Sequence, residues 1–356
     1  MQLALGPLLY YWPRDTVFAF YDAMASTPVD VVYLGETVCS RRRELRQADW
    51  IALARMLTAA GKQAILSTQV LLESTAEVGQ MHRIVEQAEF QVEANDIGAV
   101  QHLAGQRPFV AGPQLNLFNA AALAWMASLG VARWVMPLEM QREDLRALQA
   151  SRPEGLQTEV FAHGRLPLAF SARCFTARHA NRPKDDCGFR CLDDPDGLRL
   201  QTREGAPFLV LNGTQTQSAR VQHLLAEVPE LRALGVDVLR LSPQSQGMTE
   251  VIAAFDAARR GLTAVEPPMP DAPCNGYWHG QPATSPFPRH WRRCCRAFPR
   301  CPARCCSSLG STPCWSGTCR ATCGSGWRTS VCRSACAMRA CRSILSGWGR
   351  TSRRVH

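Results

Sequence analysis

The final 73 residues of this 356-residue chain, 284–356, contain no lysine, aspartate or glutamate, yet hold 14 arginines and 11 of the 16 cysteines. Like charges at that density, with no acid to pair them, repel one another and oppose packing. The stretch also lacks a sustained 3.6- or two-residue apolar period, so it has no face to bury. Its Arg, Cys, Ser, Ala, Pro, Gly and Trp are residues that GC-rich codons specify, and runs such as Trp291-Arg-Arg-Cys-Cys read as out-of-frame translation. A disulfide-rich or zinc-binding tail is the alternative, and the irregular cysteine spacing counts against it. Residues 284–356 are therefore expected to be a disordered, dispensable tail, separate from a body at 1–283.

Setting the tail apart leaves 26 basic and 30 acidic residues in the body, a net charge near −4 rather than +10. The whole-chain charge thus gives no argument for a nucleic-acid partner. The body has no run of about 18 apolar residues, the length that spans a bilayer. Its start, Met1-Gln-Leu-Ala-Leu-Gly-Pro, has neither the basic nor the apolar region of a secretory signal. A cytoplasmic protein is expected, where clustered cysteines serve as metal ligands or redox thiols more often than as disulfides. Also missing are a Gly-rich dinucleotide fingerprint after the first strand, a His-Glu-x-x-His zinc motif and a Gly-x-Ser-x-Gly elbow. These absences weaken Rossmann, zinc-peptidase and serine-hydrolase readings.

What is there is a repeated strand and helix order. Strands are expected at 3–11, 29–34, 63–68, 109–111, 133–137, 158–162, 208–211 and 236–241. Helices are expected at 15–26, 48–60, 74–88, 120–129, 142–150, 222–234 and 249–260. Such alternation argues a parallel sheet with crossover helices. Eight strand candidates favour an α/β protein of the closed (β/α)8 TIM-barrel-like type over an open doubly wound sheet. Between 166 and 205 the pattern gives way to Arg, Asp, Pro and Cys, which reads as an inserted cysteine-rich loop.

Three of the five body cysteines lie in that insertion, as the C-x12-C-x3-C run Cys174, Cys187 and Cys191. Cys39 follows the 29–34 strand, at the barrel face where the loop after 158–162 also emerges, so one site from all four is geometrically feasible. Four thiolates suit a tetrahedral zinc or a [4Fe–4S] cluster, because both prefer soft ligands. Structural zinc usually uses two tight knuckles and only one close pair is present; iron–sulfur, zinc and unrelated buried cysteines all stay open on spacing alone. Arg41, Arg42, Arg43, Arg173, Arg178, Arg182 and Lys184 surround the cysteines, either tuning thiolates and offsetting cluster charge or merely solvating the loop. His163 ends an expected strand and could meet a substrate or sit as a structural histidine. Glu36 and Glu93 lie near strand ends, and Asn116 and Asn212 could orient a polar group. His82, His102, His179 and His223 are scattered. No catalytic acid or base can be named.

Several segments carry a family resemblance: Leu5-Gly-Pro-Leu-Leu-Tyr-Tyr-Trp-Pro13, Val32-Tyr-Leu-Gly-Glu-Thr-Val-Cys-Ser-Arg-Arg42, Gly164-Arg-Leu-Pro-Leu-Ala-Phe-Ser-Ala-Arg-Cys-Phe-Thr-Ala-Arg178, Arg182-Pro-Lys-Asp, Leu211-Asn-Gly-Thr-Gln-Thr216, Arg240-Leu-Ser-Pro-Gln244 and Cys274-Asn-Gly-Tyr-Trp278. Over about 1–280 the chain resembles the collagenase-like peptidase family, and within it the UbiV-like proteins of oxygen-independent ubiquinone biosynthesis. The resemblance implies a [4Fe–4S] cluster on Cys39, Cys174, Cys187 and Cys191, with Cys274 left as a structural thiol. It implies a heterodimer with a UbiU-like homologue and hydroxylation of a quinone precursor. Prephenate, the oxygen donor of RNA-hydroxylating members, becomes a candidate co-substrate. A non-catalytic partner subunit, an RNA-hydroxylating member and a peptidase are the competing readings. Residues 284–356 resemble nothing in the family.

Overall fold

Short buried strands alternate with helices around a common axis in this computed structural model, which describes residues 1–283 and 285. The order is β1 (Gln2–Leu5), α1 (Arg14–Ala25), β2 (Val31–Leu34), α2 (Gln47–Ala59), β3 (Gln63–Ser67), α3 (Thr75–Glu86), β4 (Gln91–Ala94), α4 (Ile97–Leu103) and β5 (Phe109–Ala111). It continues with α5 (Ala120–Ser128), β6 (Val131–Val135), α6 (Arg142–Ala150) and the long β7 (Gln157–Phe170). Strands β1 to β7 pair in sequence and in parallel, and β11 (Val238–Leu241) pairs in parallel with both β7 and β1. The result is a closed eight-stranded (β/α)8 barrel. Helix α9 (Met248–Arg259) follows β11. The expected tail, 284–356, lies outside the described residues apart from Ser285.

The strands divide two kinds of core between their faces, as period-two alternation requires. Outward residues such as Leu34, Leu66, Val92, Trp134, Val160 and Leu239 join the helices in one apolar layer, while Ala4, Val31, Tyr33, Ile65, Val110, Val135 and Val238 cluster separately inside the barrel. Charges share that interior. Glu93 and Glu159, both wholly buried, pair with Arg240 at 2.7 and 2.5 Å. Tyr33 donates to Glu159 at 2.5 Å and Ser67 to Glu93 at 2.6 Å, and the Arg240 guanidinium stacks 4.1 Å from the Tyr33 ring centre.

Beyond the barrel, β7 runs on to pair antiparallel with β10 (Gln215–His223). That strand pairs with β9 (Pro207–Asn212), and β9 with β8 (Leu198–Gln201). Helix α7 (Phe175–His179) and two 3-10 turns lie between β7 and β8; α8 (Val228–Ala233) returns the chain to β11, and the two-residue β12 (Pro273–Cys274) adds to β10. Gly164 marks the exit from the barrel: its φ is +132° and a Cβ there would lie 2.5 Å from Ser242 Cβ, so only glycine fits.

The barrel has the expected number of strands but not the expected set. Residues 208–211 belong to β9 of the antiparallel arm, and the missing barrel strand is β4. Its sequence Gln91-Val-Glu-Ala reads as weakly apolar because Glu93 is buried through an ion pair that sequence cannot display. The expected helix at 222–234 is shortened to α8, since Gln222 and His223 end β10. Strand 3–11 stops at Leu5: Pro7 has no N–H to donate, and Leu8 to Trp12 pack as buried coil instead.

Candidate metal centre

The loop after β2 is folded by its own acid. Glu36 accepts the Val38 and Cys39 N–H groups at 2.9 and 3.0 Å, which fixes Cys39 at the C-terminal end of the barrel. Burial raises the Glu36 pKa, opposed by Arg42 3.6 Å away. Cys174 caps α7, its sulfur accepting the Ala177 N–H at 3.4 Å. Cys187 follows one 3-10 turn and Cys191 lies in the next, with the chain reversed between them by Gly188 and Phe189 at positive φ. All four thiols are half-buried.

Side chains of the β2 loop and of the insertion after β7 tie these segments together. Arg41 donates to the Asp185 carbonyl at 2.6 Å, two residues before Cys187, and Lys184 donates to the Ala172 carbonyl at 2.9 Å, two residues before Cys174. Arg42 is buried and donates to the Leu9 carbonyl at 2.7 Å and to Asn212 Oδ1 at 2.6 Å, and the Cys191 thiol lies within its electrostatic reach. The β9–β10 turn closes the set. Thr214 donates to the Val38 carbonyl at 2.7 Å, and the Gly213 carbonyl accepts the Phe175 N–H at 2.8 Å. The Asn212-Gly-Thr segment thus holds the Cys39 loop on one side and the Cys174 helix on the other.

Electrostatics reports the same proximity. Burial pushes the Cys39 thiol up to about 11, with Arg42 pulling it back and Cys174 raising it. Burial also raises Cys191, again against Arg42 and with Cys174 adding to the rise. Cys39, Cys174 and Cys191 therefore share one neighbourhood around Arg42, while Cys187 is tied to it through the Arg41 contact with its turn. Cys274 is wholly buried in β12. Among the described residues no three His, Cys, Asp or Glu side chains are drawn close enough to form a ready metal-binding group. The donor chemistry still fits a soft metal or cluster: four sulfurs on mutually tied segments, beside a buried Arg42 Nε that has no hydrogen-bond partner and can donate to an anionic group.

A family model described as peptidase family U32 matches residues 18–273, which include all four of these cysteines. The chain belongs to peptidase family U32. Curated relatives share 22% identity over 155 residues with tRNA hydroxylation protein P1 of Bacillus subtilis (42% of this chain, 36% of the relative). A collagenase of Porphyromonas gingivalis shares 22% over 200 residues (54% and 46%), and tRNA hydroxylation protein P of Escherichia coli 26% over 77 residues (22% and 17%). This U32 chain spans less than half the length of those curated relatives. Among solved structures, the U32 peptidase Mk0906 aligns with a TM-score of 0.39 and 10% identity over 69% of this chain and 94% of its own.

The other candidate residues of the U32 chain fall elsewhere. His163 does not end its strand: β7 continues past it, and the imidazole is wholly buried with its Nδ1 2.9 Å from that of His223. Burial, with His223 adding to the effect, pushes its pKa down to about 3. Glu93 lies in the barrel network, Asn116 occupies a left-handed turn position at φ 56°, and Asn212 is part of the Arg42 junction. His82 and His102 pack edge-on against each other, and His179 lies exposed in α7. The barrel mouth, lined by Glu93, Asn95, Phe161 and Arg240 among others, encloses only about 40 Å³. Sequence reasoning missed Tyr33, Arg133, Glu159 and Arg240, whose partners are 24 to 207 residues away in the chain and carry no local signature.

Proposed function

We propose that this U32 chain is a UbiV-like subunit for oxygen-independent hydroxylation in ubiquinone biosynthesis, with a [4Fe–4S] cluster on Cys39, Cys174, Cys187 and Cys191. The observation that carries the reading is the Arg41, Arg42 and Asn212–Thr214 junction, which ties the four cysteine-bearing segments to one another. The motif resemblance supplies the branch, and two curated relatives named as tRNA hydroxylation proteins support a role in hydroxylation. When bound, such a cluster supplies one-electron chemistry. The chain's own part is to hold the thiolates in place and to set Arg42 against their negative charge. The partner is a UbiU-like homologue forming a heterodimer, the substrate a quinone precursor, and prephenate a candidate oxygen donor.

A second reading, RNA hydroxylation, is favoured by those same relatives' names. Against it stands the near −4 charge of residues 1–283, which offers no broad basic footprint. Purification of the full chain without oxygen, followed by iron and sulfide analysis, tests the site: about four of each per chain are expected. Each of Cys39→Ala, Cys174→Ala, Cys187→Ala and Cys191→Ala should sharply lower the iron, and Cys274→Ala should not. One zinc per chain without broad visible absorption, or equal loss at Cys274, refutes the ligand set. Restoration of anaerobic ubiquinone synthesis only together with a UbiU-like homologue tests the pathway; restoration of a hydroxylated tRNA nucleoside instead selects the second reading.

A further inference from the structure

Among the described residues, Asn116, Asn181 and Phe189 are the non-glycine positions with a positive φ. Asparagine tolerates this left-handed region, whereas an aromatic side chain there is a backbone outlier. Phe189 lies at φ 50° and ψ 37°, directly after Gly188 at φ 60°, in the turn between Cys187 and Cys191. Glycine or asparagine would make the same turn without that strain, so the turn alone does not account for a phenylalanine. The ring points the way to its use. It lies 6.0 Å from the ring of Tyr11, tilted by 48°, and Phe189 is 39% exposed. Tyr11 is buried and fixed in place: its hydroxyl accepts the Arg43 N–H at 3.1 Å, and the Arg42 guanidinium stands 5.5 Å from its ring centre.

Phe189, Tyr11 and Arg42 thus form successive layers from solvent inward, and the innermost reaches the thiols. Burial raises the Tyr11 hydroxyl pKa and Cys191 is close enough to add to the rise, while Arg42 lies within electrostatic reach of both Cys39 and Cys191. The thiols themselves are only half-buried, so the fold leaves them partly open to water. Gly188 has no side chain and Arg190 turns to Asp193 at 3.1 Å, which leaves the Phe189 ring as the apolar cover that the Cys187–Cys191 turn itself supplies. We propose that Phe189 is a shielding residue, its ring held by a strained turn over the solvent side of the cysteine site, where it limits the entry of water and small reagents to Cys187 and Cys191. With water kept out, the attraction between Arg42 and an anionic site is stronger than in bulk solvent. The inference rests on the reading of these cysteines as one metal centre, but the access it describes is measurable with or without the metal.

Two variants of the full chain test it: Phe189→Asn keeps a residue suited to the left-handed turn and removes the ring, and Phe189→Tyr keeps the ring. Iodoacetamide alkylation of the metal-free chain, followed cysteine by cysteine with peptide mass spectrometry, should be at least about threefold faster at Cys187 and Cys191 in Phe189→Asn. Cys274 should react no faster, and Phe189→Tyr should match the parent throughout. Iron-loaded chain, purified without oxygen, should likewise release iron to ferrozine faster in Phe189→Asn than in the parent or Phe189→Tyr. The melting temperature of Phe189→Asn should stay within about 3 °C of the parent, because relief of the backbone offsets the lost ring contact. Equal alkylation rates in parent and Phe189→Asn, equal acceleration at Cys274, acceleration in Phe189→Tyr as well, or a larger drop in melting temperature would each overturn the proposal. A parent that carries no iron would refute the cluster and leave the alkylation result to decide the shield, so the two readings fail separately.

Discussion

Replacing Arg42 by leucine removes, from a buried position, hydrogen bonds to the Leu9 carbonyl at 2.7 Å and Asn212 Oδ1 at 2.6 Å, and an ion pair with Glu36 at 3.6 Å. Hydrogen bonds to a charged group are each worth about 1.5–3 kcal/mol net. Removing one partner of a buried pair costs about 3–5 kcal/mol because the other charge is left behind. Glu36 keeps its two backbone N–H donors, which limits that second cost, so Arg42→Leu should destabilise by about 3–5 kcal/mol rather than by the sum. Against a typical reserve of about 5–15 kcal/mol the variant still folds. Urea unfolding without oxygen, followed by tryptophan fluorescence, reads the change. Asn212→Ala breaks the same junction, so the double variant should lose at least about 0.5 kcal/mol less than the two single losses added together. A loss below about 1 kcal/mol for Arg42→Leu, or strict additivity, would show that Arg42 does not organise the cysteine loops.

Two further expectations concern the barrel and the histidine pair. Arg240→Met leaves Glu93 and Glu159 buried without their main counter-ion, so unfolding free energy should fall by about 3–5 kcal/mol. Adding Glu93→Gln should restore part of it, and a double variant no more stable than the single would refute the ion-pair account. His163 has a folded pKa near 3 against an ordinary 6.5, so it binds its proton in the unfolded state first. Its contribution is complete above the ordinary value and is lost as pH falls toward 3, by about 1.4 kcal/mol per unit for one site. His163→Gln should flatten the loss of stability between pH 6 and pH 4.5 by about that slope; an unchanged slope would assign it to other groups.

Local pattern determined much of this protein. The βα alternation, the closed barrel and the placement of Cys39 beyond β2 follow from periodicity and turn residues, which act over a few neighbours; the stretch expected to be a loop from 166 to 205 instead begins with the end of β7 and contains α7 and β8. The Ser74 cap of α3 was equally legible, because a capping hydroxyl and the N–H it accepts lie three residues apart. Tertiary structure decided what depends on distant partners. Strand β4 can bury Glu93 because that carboxylate meets Arg240, 147 positions along the chain, and no window of sequence contains both. His163 is a buried pair member because β10 lies beside β7, not because of its own neighbours. Asn212 read as a generic polar residue until the β9–β10 turn set it against Arg42, 170 positions away. A cavity lined by Gln69 likewise arises only where α2, α3 and the Cys39 loop meet. Short-range periodicity fixes which residues can be buried, whereas the pairing of buried charges and the shape left between elements are set by contacts that the order of residues does not display.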